Sequence, residues 1–198
     1  MAKGFSYTLL GQWLGVEEAR RKTILDGLLP HQKLLLFSEG SMTLELELLT
    51  QGNVEAEIRF MGLTSITAEA ASFLGAEVGA EAMEREVWLT GGGRRLLYAH
   101  ALIPEGMIAP DIKSALDERP KEPLGRVLAS NGVLFAKERL EIGIVKSPCA
   151  SRDLEIPEDT PLFARRYILF NKGADRWIIK AGLTEIFSPE LVGAVLRS

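Results

Sequence analysis

Two charged side chains stand where strand alternation calls for apolar ones. In Glu84-Arg85-Glu86-Val87-Trp88-Leu89 a period of two puts Arg85 on the face of Val87 and Leu89. In the run from Ile179 to Phe187 the same period groups Glu185 with Ile179, Ala181, Leu183 and Phe187. Both are therefore expected to point into the core. A buried guanidinium and a buried carboxylate are costly unless each has a partner, so two readings compete. Either they form a salt bridge with one another, or a small anionic ligand with a polar far end lies between them.

Other reactive groups are weaker candidates. Gly91-Gly92-Gly93 lacks the Gly-x-x-x-x-Gly-Lys-Ser/Thr spacing of a phosphate loop and opens a strand, so it reads as a hairpin turn. His31, His100 and Cys149 are isolated, without the paired spacing of a metal site, and no metal is expected. Cys149 in Ser147-Pro148-Cys149-Ala150 is expected to have no activating helix start and reads as an ordinary thiol. Glu141 alternates with Lys137, Arg139 and Gly143, opposite the apolar Leu140, Ile142 and Ile144, which predicts a solvated face. Adjacent Arg165 and Arg166 must point to opposite faces, so only one can enter a pocket, and a surface role is expected for the pair.

The elements that must position Arg85 and Glu185 are hairpins. Arg85 to Thr90 and Arg95 to Ile103 pair across the glycine turn, and Pro104 closes the unit. Val54 to Phe60 alternates as a half-exposed strand, and Val133 to Val145, Phe163 to Phe170 and Trp177 to Phe187 supply three more. A helix is expected over Gly15 to Leu29, ended by Pro30. The apolar Leu34 to Phe37 then leads into a structured loop, Ser38 to Thr43, followed by Leu44 to Leu49. Helical pieces at Asp111 to Glu118 and Leu124 to Ser130 sit in a segment rich in charge and proline, and Pro189 starts a short terminal helix. No strand-helix-strand repetition appears. The prediction is an α+β fold, a single antiparallel sheet of about five or six strands with helices on one side.

Composition narrows the function classes. The chain has 198 residues, which suits one domain spanning 1–198, with 1–33 as an N-terminal helical extension. A net charge of -4 without a basic stripe argues against nucleic acid as partner. The start lacks a signal-peptide pattern, and no run reaches the roughly 18 to 20 apolar residues of a spanning helix, so no membrane partner is expected. One cysteine excludes an internal disulfide, and a cytoplasmic location is the expectation.

Four segments, in order, resemble the chorismate pyruvate-lyase family. They are Leu34 to Thr43 ending in Ser41-Met42-Thr43, and Arg85-Glu86-Val87-Trp88-Leu89 with its hairpin down to Ile103-Pro104. Then come Pro123-Leu124-Gly125-Arg126-Val127-Leu128 followed by Glu141-Ile142-Gly143, and Arg165-Arg166 followed by Leu183-Thr184-Glu185-Ile186-Phe187. The resemblance implies a lyase that eliminates pyruvate from chorismate to give 4-hydroxybenzoate, without cofactor, with ubiquinone biosynthesis as a setting. It implies a monomer, with helical flaps closing over a buried ligand. Residue by residue, Arg85 matches the arginine on the ligand carboxylate and Glu185 the carboxyl group at the oxygen end, these two carrying the chemistry. Met42 and Leu124 match flap positions. Where the family commonly has Gly-Arg on the return strand, this chain has Ala99-His100, so His100 becomes the candidate second cation. The alternatives are a non-catalytic domain of the same superfamily that binds an aromatic acid, or a lyase for a related enol ether. The first 33 residues are too short for the winged helix-turn-helix of a regulator built on this fold.

Overall fold

Register, more than any single contact, decides which side chains share a surface in the computed structural model, which describes residues 4–193. Two short strands, β1 (Thr8–Leu9) and β2 (Leu14–Gly15), precede six long ones. These are β3 (Val54–Ser65), β4 (Glu81–Gly91), β5 (Arg94–Pro104), β6 (Ala136–Lys146), β7 (Leu162–Lys172) and β8 (Trp177–Phe187). They form one antiparallel sheet in the order β1-β6-β7-β8-β5-β4-β3, with β2 also on β6. The six long strands are those expected, most of them extended by a few residues. Gly92 and Gly93 make the β4–β5 turn at φ 59 and 74, a region open to glycine.

Pairing of Arg85 with Ala101, Ala101 with Leu183, and Leu183 with Tyr167 sets one row of an inward face. Val87, Ala99, Glu185 and Arg165 set the next. The helices that cover this face are α1 (Val16–Arg21), α2 (Pro30–Phe37), α3 (Met42–Thr50), α5 (Pro110–Glu118) and α6 (Leu124–Ser130). Two further helices, α4 (Ala68–Leu74) and α7 (Pro148–Asp153), lie on the opposite face, where Leu74 fills the space above Gly182 and the Asp153 carboxylate accepts from Trp88 Nε1 at 2.8 Å. The expected one-sided arrangement thus holds for five helices and not for these two. The cause is apolar surface on both sides: Trp88, Tyr98 and Ile186 alternate outward from the first face and need their own cover. None of the helices described is long and apolar enough to cross a membrane.

Several elements differ from expectation for local reasons. The helix expected over Gly15 to Leu29 is α1 followed by a 3₁₀ turn, Thr23–Leu25. β-branched Thr23 and Ile24 and then Gly27 at φ 83 interrupt it. Pro30 opens α2 instead of only ending its predecessor, because the first helical position needs no N–H. Ser41 caps α3, its Oγ accepting from Leu44 N at 3.4 Å, so Met42 and Thr43 belong to a helix and the loop shortens to 38–41. The alanine-rich stretch before β4 holds α4, capped by Thr67 and closed by Gly75 at φ 66. The residues 189–191 form a turn in place of the expected terminal helix, the rest of which lies outside the described residues.

The N-terminal segment packs through Trp13 and Leu9 onto Gly143 of β6, where an added Cβ would lie 2.9 Å from the indole ring. Gly143→Ala is expected to destabilise the fold by about 1 to 3 kcal/mol. Chemical denaturation checks this; an unchanged midpoint would mean that the segment does not pack there.

Candidate active site

Arg85 is 3% exposed and has no carboxylate within 4.0 Å among the described residues. Its Nη2 donates at 2.8 Å to both Pro120 O and Glu122 O, in the loop before α6, and its buried Nε has no partner. Burial without a counter-ion pushes its pKa down to about 10. A guanidinium held at Nη2 by two carbonyls keeps an unpartnered Nε–H, a donor of the kind that carboxylates accept.

Glu185 is equally buried but does not touch Arg85. Its Oε2 accepts from Arg165 Nε at 2.6 Å and its Oε1 from Tyr167 Oη at 3.0 Å. Arg165 is fully buried, donates through Nη1 to Leu35 O at 2.7 Å and Ser38 O at 3.1 Å, and leaves Nη2 unpartnered. Burial lowers the pKa of Arg165, but Glu185, Tyr167 and Glu45 together outweigh that and leave it raised. Tyr167 is pushed well above its ordinary value by burial and then by Glu185. Glu185 therefore belongs to a buried arginine-carboxylate-tyrosine cluster, and both its oxygens act as acceptors.

Between Arg85 and this cluster lies a cavity of about 60 Å³, lined by Arg85, Glu185, Tyr167 and Lys137 with Val87, Leu89, Leu169 and Leu183. Ala99 and Ala101 of β5 form its floor, and their small side chains are what keep the space open. Its roof has two parts, Gly40 to Thr43 at the start of α3 and Pro123 to Gly125 at the start of α6. The two parts are tied together by an ion pair from Arg126 of α6 to Glu47 of α3. At roughly 10 to 15 Å³ for each water centre, the cavity has room for only a few waters.

Arg85, Glu185, Met42 and Leu124 all line this cavity. His100 does not, and this corrects its assignment. It pairs with Thr184 and Glu86 on the opposite face, stacks on Phe5 at 4.4 Å and meets Glu84 Oε1 at 2.7 Å. Strict alternation from Arg85 through its pair Ala101 already sends His100 outward. Glu84, Glu86 and His100 do converge, with ligand atoms within 4.8 Å of one another. Each of them is engaged in hydrogen bonds, Glu86 accepting from Phe5 N at 2.7 Å and Tyr98 Oη at 2.8 Å.

Two cavity-side cations escaped the reading by pattern. Arg165, expected at the surface, is the ion partner of Glu185; its place in the row of Tyr167 and Leu169 was the available signal. Lys137 was grouped with Glu141, yet it faces the cavity, while Glu141 stays outside, bonded to Arg166 at 2.6 Å. A bulge between Glu138 and Glu141, with Arg139 at φ 55, inserts one residue and reverses the phase of the strand before it. Lys137 Nζ donates to Gly40 O at 2.7 Å and Ser38 O at 3.2 Å, and lies 4.7 Å above the Tyr167 ring.

A curled antiparallel sheet with helical flaps over a buried cationic cavity is the chorismate lyase-like fold, shared with effector domains of transcription regulators. The effector domain of PhnF from Mycobacterium smegmatis is similar at a TM-score of 0.58 and 16% identity, over 78% of this chain and 91% of that one. A longer PhnF structure from the same organism is matched over 66% of its length, at the same TM-score and identity. A putative transcriptional regulator from Streptomyces coelicolor is similar at 0.55 and 17% identity, over 74% and 97% of the two chains. No curated protein matches the chain. The chain belongs to the chorismate pyruvate-lyase Rv2949c-like family, whose model matches residues 36–195.

Burial, and after it the charge of Arg165, lowers the pKa of Lys137 from 10.5 to about 8, with Glu185, Glu45 and Glu39 acting in the opposite sense. Between those two pH values the unfolded chain holds a proton that folding has expelled, so this residue's contribution to stability rises with pH. Below about pH 8 its cost is fully present. The melting temperature of Lys137→Met relative to wild type is therefore expected to be highest near pH 7 and to fall toward pH 10. A difference that stays flat or grows with pH would contradict the burial of a charged ammonium.

Proposed function

We propose that the protein is a chorismate pyruvate-lyase, which eliminates pyruvate from chorismate and releases 4-hydroxybenzoate. The observation that carries this reading is Arg85: a buried guanidinium with a free Nε, no ion partner among the described residues, and a cavity beside it with an apolar floor. Family membership supports it independently.

In the elimination, the bond between the ring and the ether oxygen breaks, the ring loses a proton, and the departing enolpyruvyl group takes one up and becomes pyruvate. Aromatisation supplies the drive. The protein's part is to hold the reactive conformer, keep bulk water out and stabilise charge on the departing group. Arg85 would take the ring carboxylate at its free Nε, and at Nη2 as well once one of the two carbonyls there gives way, and the alanine floor would seat the ring. Met42 and Leu124, on the two parts of the roof, would close over it. With both oxygens accepting, Glu185 is better suited to fixing Arg165 and the Tyr167 hydroxyl at the oxygen end than to donating a proton itself.

A second reading has its own support: the fold is shared with structures described as effector or ligand-binding domains. On that reading the cavity holds an aromatic acid without turning it over. Incubation with chorismate, following pyruvate by a coupled assay and 4-hydroxybenzoate by chromatography, separates the two. Turnover above spontaneous decay is expected, whereas tight 4-hydroxybenzoate binding without turnover would overturn the lyase reading. Arg85→Ala should weaken both chorismate and 4-hydroxybenzoate by about 10- to 100-fold, the range expected for a lost charged hydrogen bond. Glu185→Gln should lower kcat; unchanged kcat would remove the cluster from the chemistry.

A further inference from the structure

We propose that Lys137 is the second anion seat of the cavity, receiving the carboxylate of the side chain that leaves as pyruvate. Lys137 thereby distinguishes the dicarboxylate substrate from the monocarboxylate product. This rests on the lyase reading above and adds a residue to it.

Position comes first. Arg85 stands on β4 and Lys137 on β6, with β5, β8 and β7 between them, and both line the same cavity. They come from the first and the last of the five strands that face it. The donor count comes next. An ammonium has three N–H groups, and two of those on Lys137 go to the carbonyls of Ser38 and Gly40. One remains, and no carboxylate lies within 4.0 Å to take it among the described residues. The carboxylate that does line the cavity, Glu185, is paired with Arg165. The wall thus presents two cations without contact ion partners, and a ligand with two carboxylates would supply both.

The local backbone is shaped to place this group. Arg139 is one of three non-glycine residues with positive φ among those described, a conformation that costs of order 1 to 2 kcal/mol for most L-residues. Its guanidinium is held by Ser72 O and Phe73 O at the end of α4 and lies 4.7 Å over the Phe73 ring. The bulge that this residue makes turns Lys137 from the outer face to the cavity. With His100 on the far face, no other side chain lining the cavity offers a second unpaired cation. After elimination the pyruvate carboxylate departs from Lys137, and 4-hydroxybenzoate stays bound through Arg85.

The test compares wild type, Lys137→Met and the charge-retaining Lys137→Arg with two probes: KM for chorismate in the pyruvate assay, and Kd for 4-hydroxybenzoate by calorimetry. Lys137→Met is expected to raise the chorismate KM by about 10- to 100-fold. Its Kd for 4-hydroxybenzoate should stay within about twofold, which also shows that the variant is folded, and Lys137→Arg should recover most of the substrate affinity. Equal weakening of both ligands, or wild-type KM in Lys137→Met, would overturn the assignment of Lys137 while leaving the lyase reading intact. Wild-type protein that binds 4-hydroxybenzoate but neither binds nor turns over chorismate would overturn both.

Discussion

Buried positive charge without a counter-ion is the constraint on which the rest of this structure depends. The buried Arg85 and the half-buried Lys137 face one cavity, and each hydrogen-bonds backbone carbonyls and not a carboxylate. A core built for stability alone would replace such groups with apolar ones, since removing charge from water costs several kcal/mol per ion. Of those carbonyls, that of Gly40 lies in the roof and those of Ser38, Pro120 and Glu122 lie in the loops that lead into its two parts. The cations therefore hold the roof down when the cavity is closed. An incoming anion would compete with the carbonyls for the same N–H groups, which couples ligand entry to movement of the roof.

The antiparallel register turns this charge into a linear arrangement. Across the inward face the order is Arg85, the two alanines of β5, Glu185 with Leu183, Tyr167 with Arg165, and finally Lys137. Cation, flat apolar floor, polar cluster and second cation follow one another in the order that an aromatic acid with an anionic ether side chain would require. Arg165 and Tyr167 keep Glu185 away from Arg85, so the lone carboxylate of the wall does not cancel the charge at the first end.

Much of the fold was legible because period-two alternation and glycine or proline punctuation act locally: all six long strands, the glycine turn, α5 and α6 follow from them. The inward direction of Arg85 and Glu185 came from the same rule. Misreadings arose where a long-range or single-residue event intervenes. Alternation has no means of showing the bulge at Arg139, which reverses the face of Lys137. Adjacent Arg165 and Arg166 look alike in the sequence, and only the strand phase puts one beside Glu185 and the other beside Glu141. His100 was drawn into the site by its place in a family pattern, although its own register opposite Glu86 places it behind the sheet. The second helical layer follows from Trp88, Tyr98 and Ile186, whose apolar side chains on the other face need cover that a one-sided arrangement does not supply.

The most direct test of this account is a crystal structure of the protein with 4-hydroxybenzoate. It should show the ring on Ala99 and Ala101, the carboxylate within hydrogen-bond distance of Arg85 Nε, and the hydroxyl toward Glu185 and Tyr167. A ligand bound outside the cavity, or one inside it with its carboxylate away from Arg85, would contradict the claim that this unpaired guanidinium is the anchor of the site.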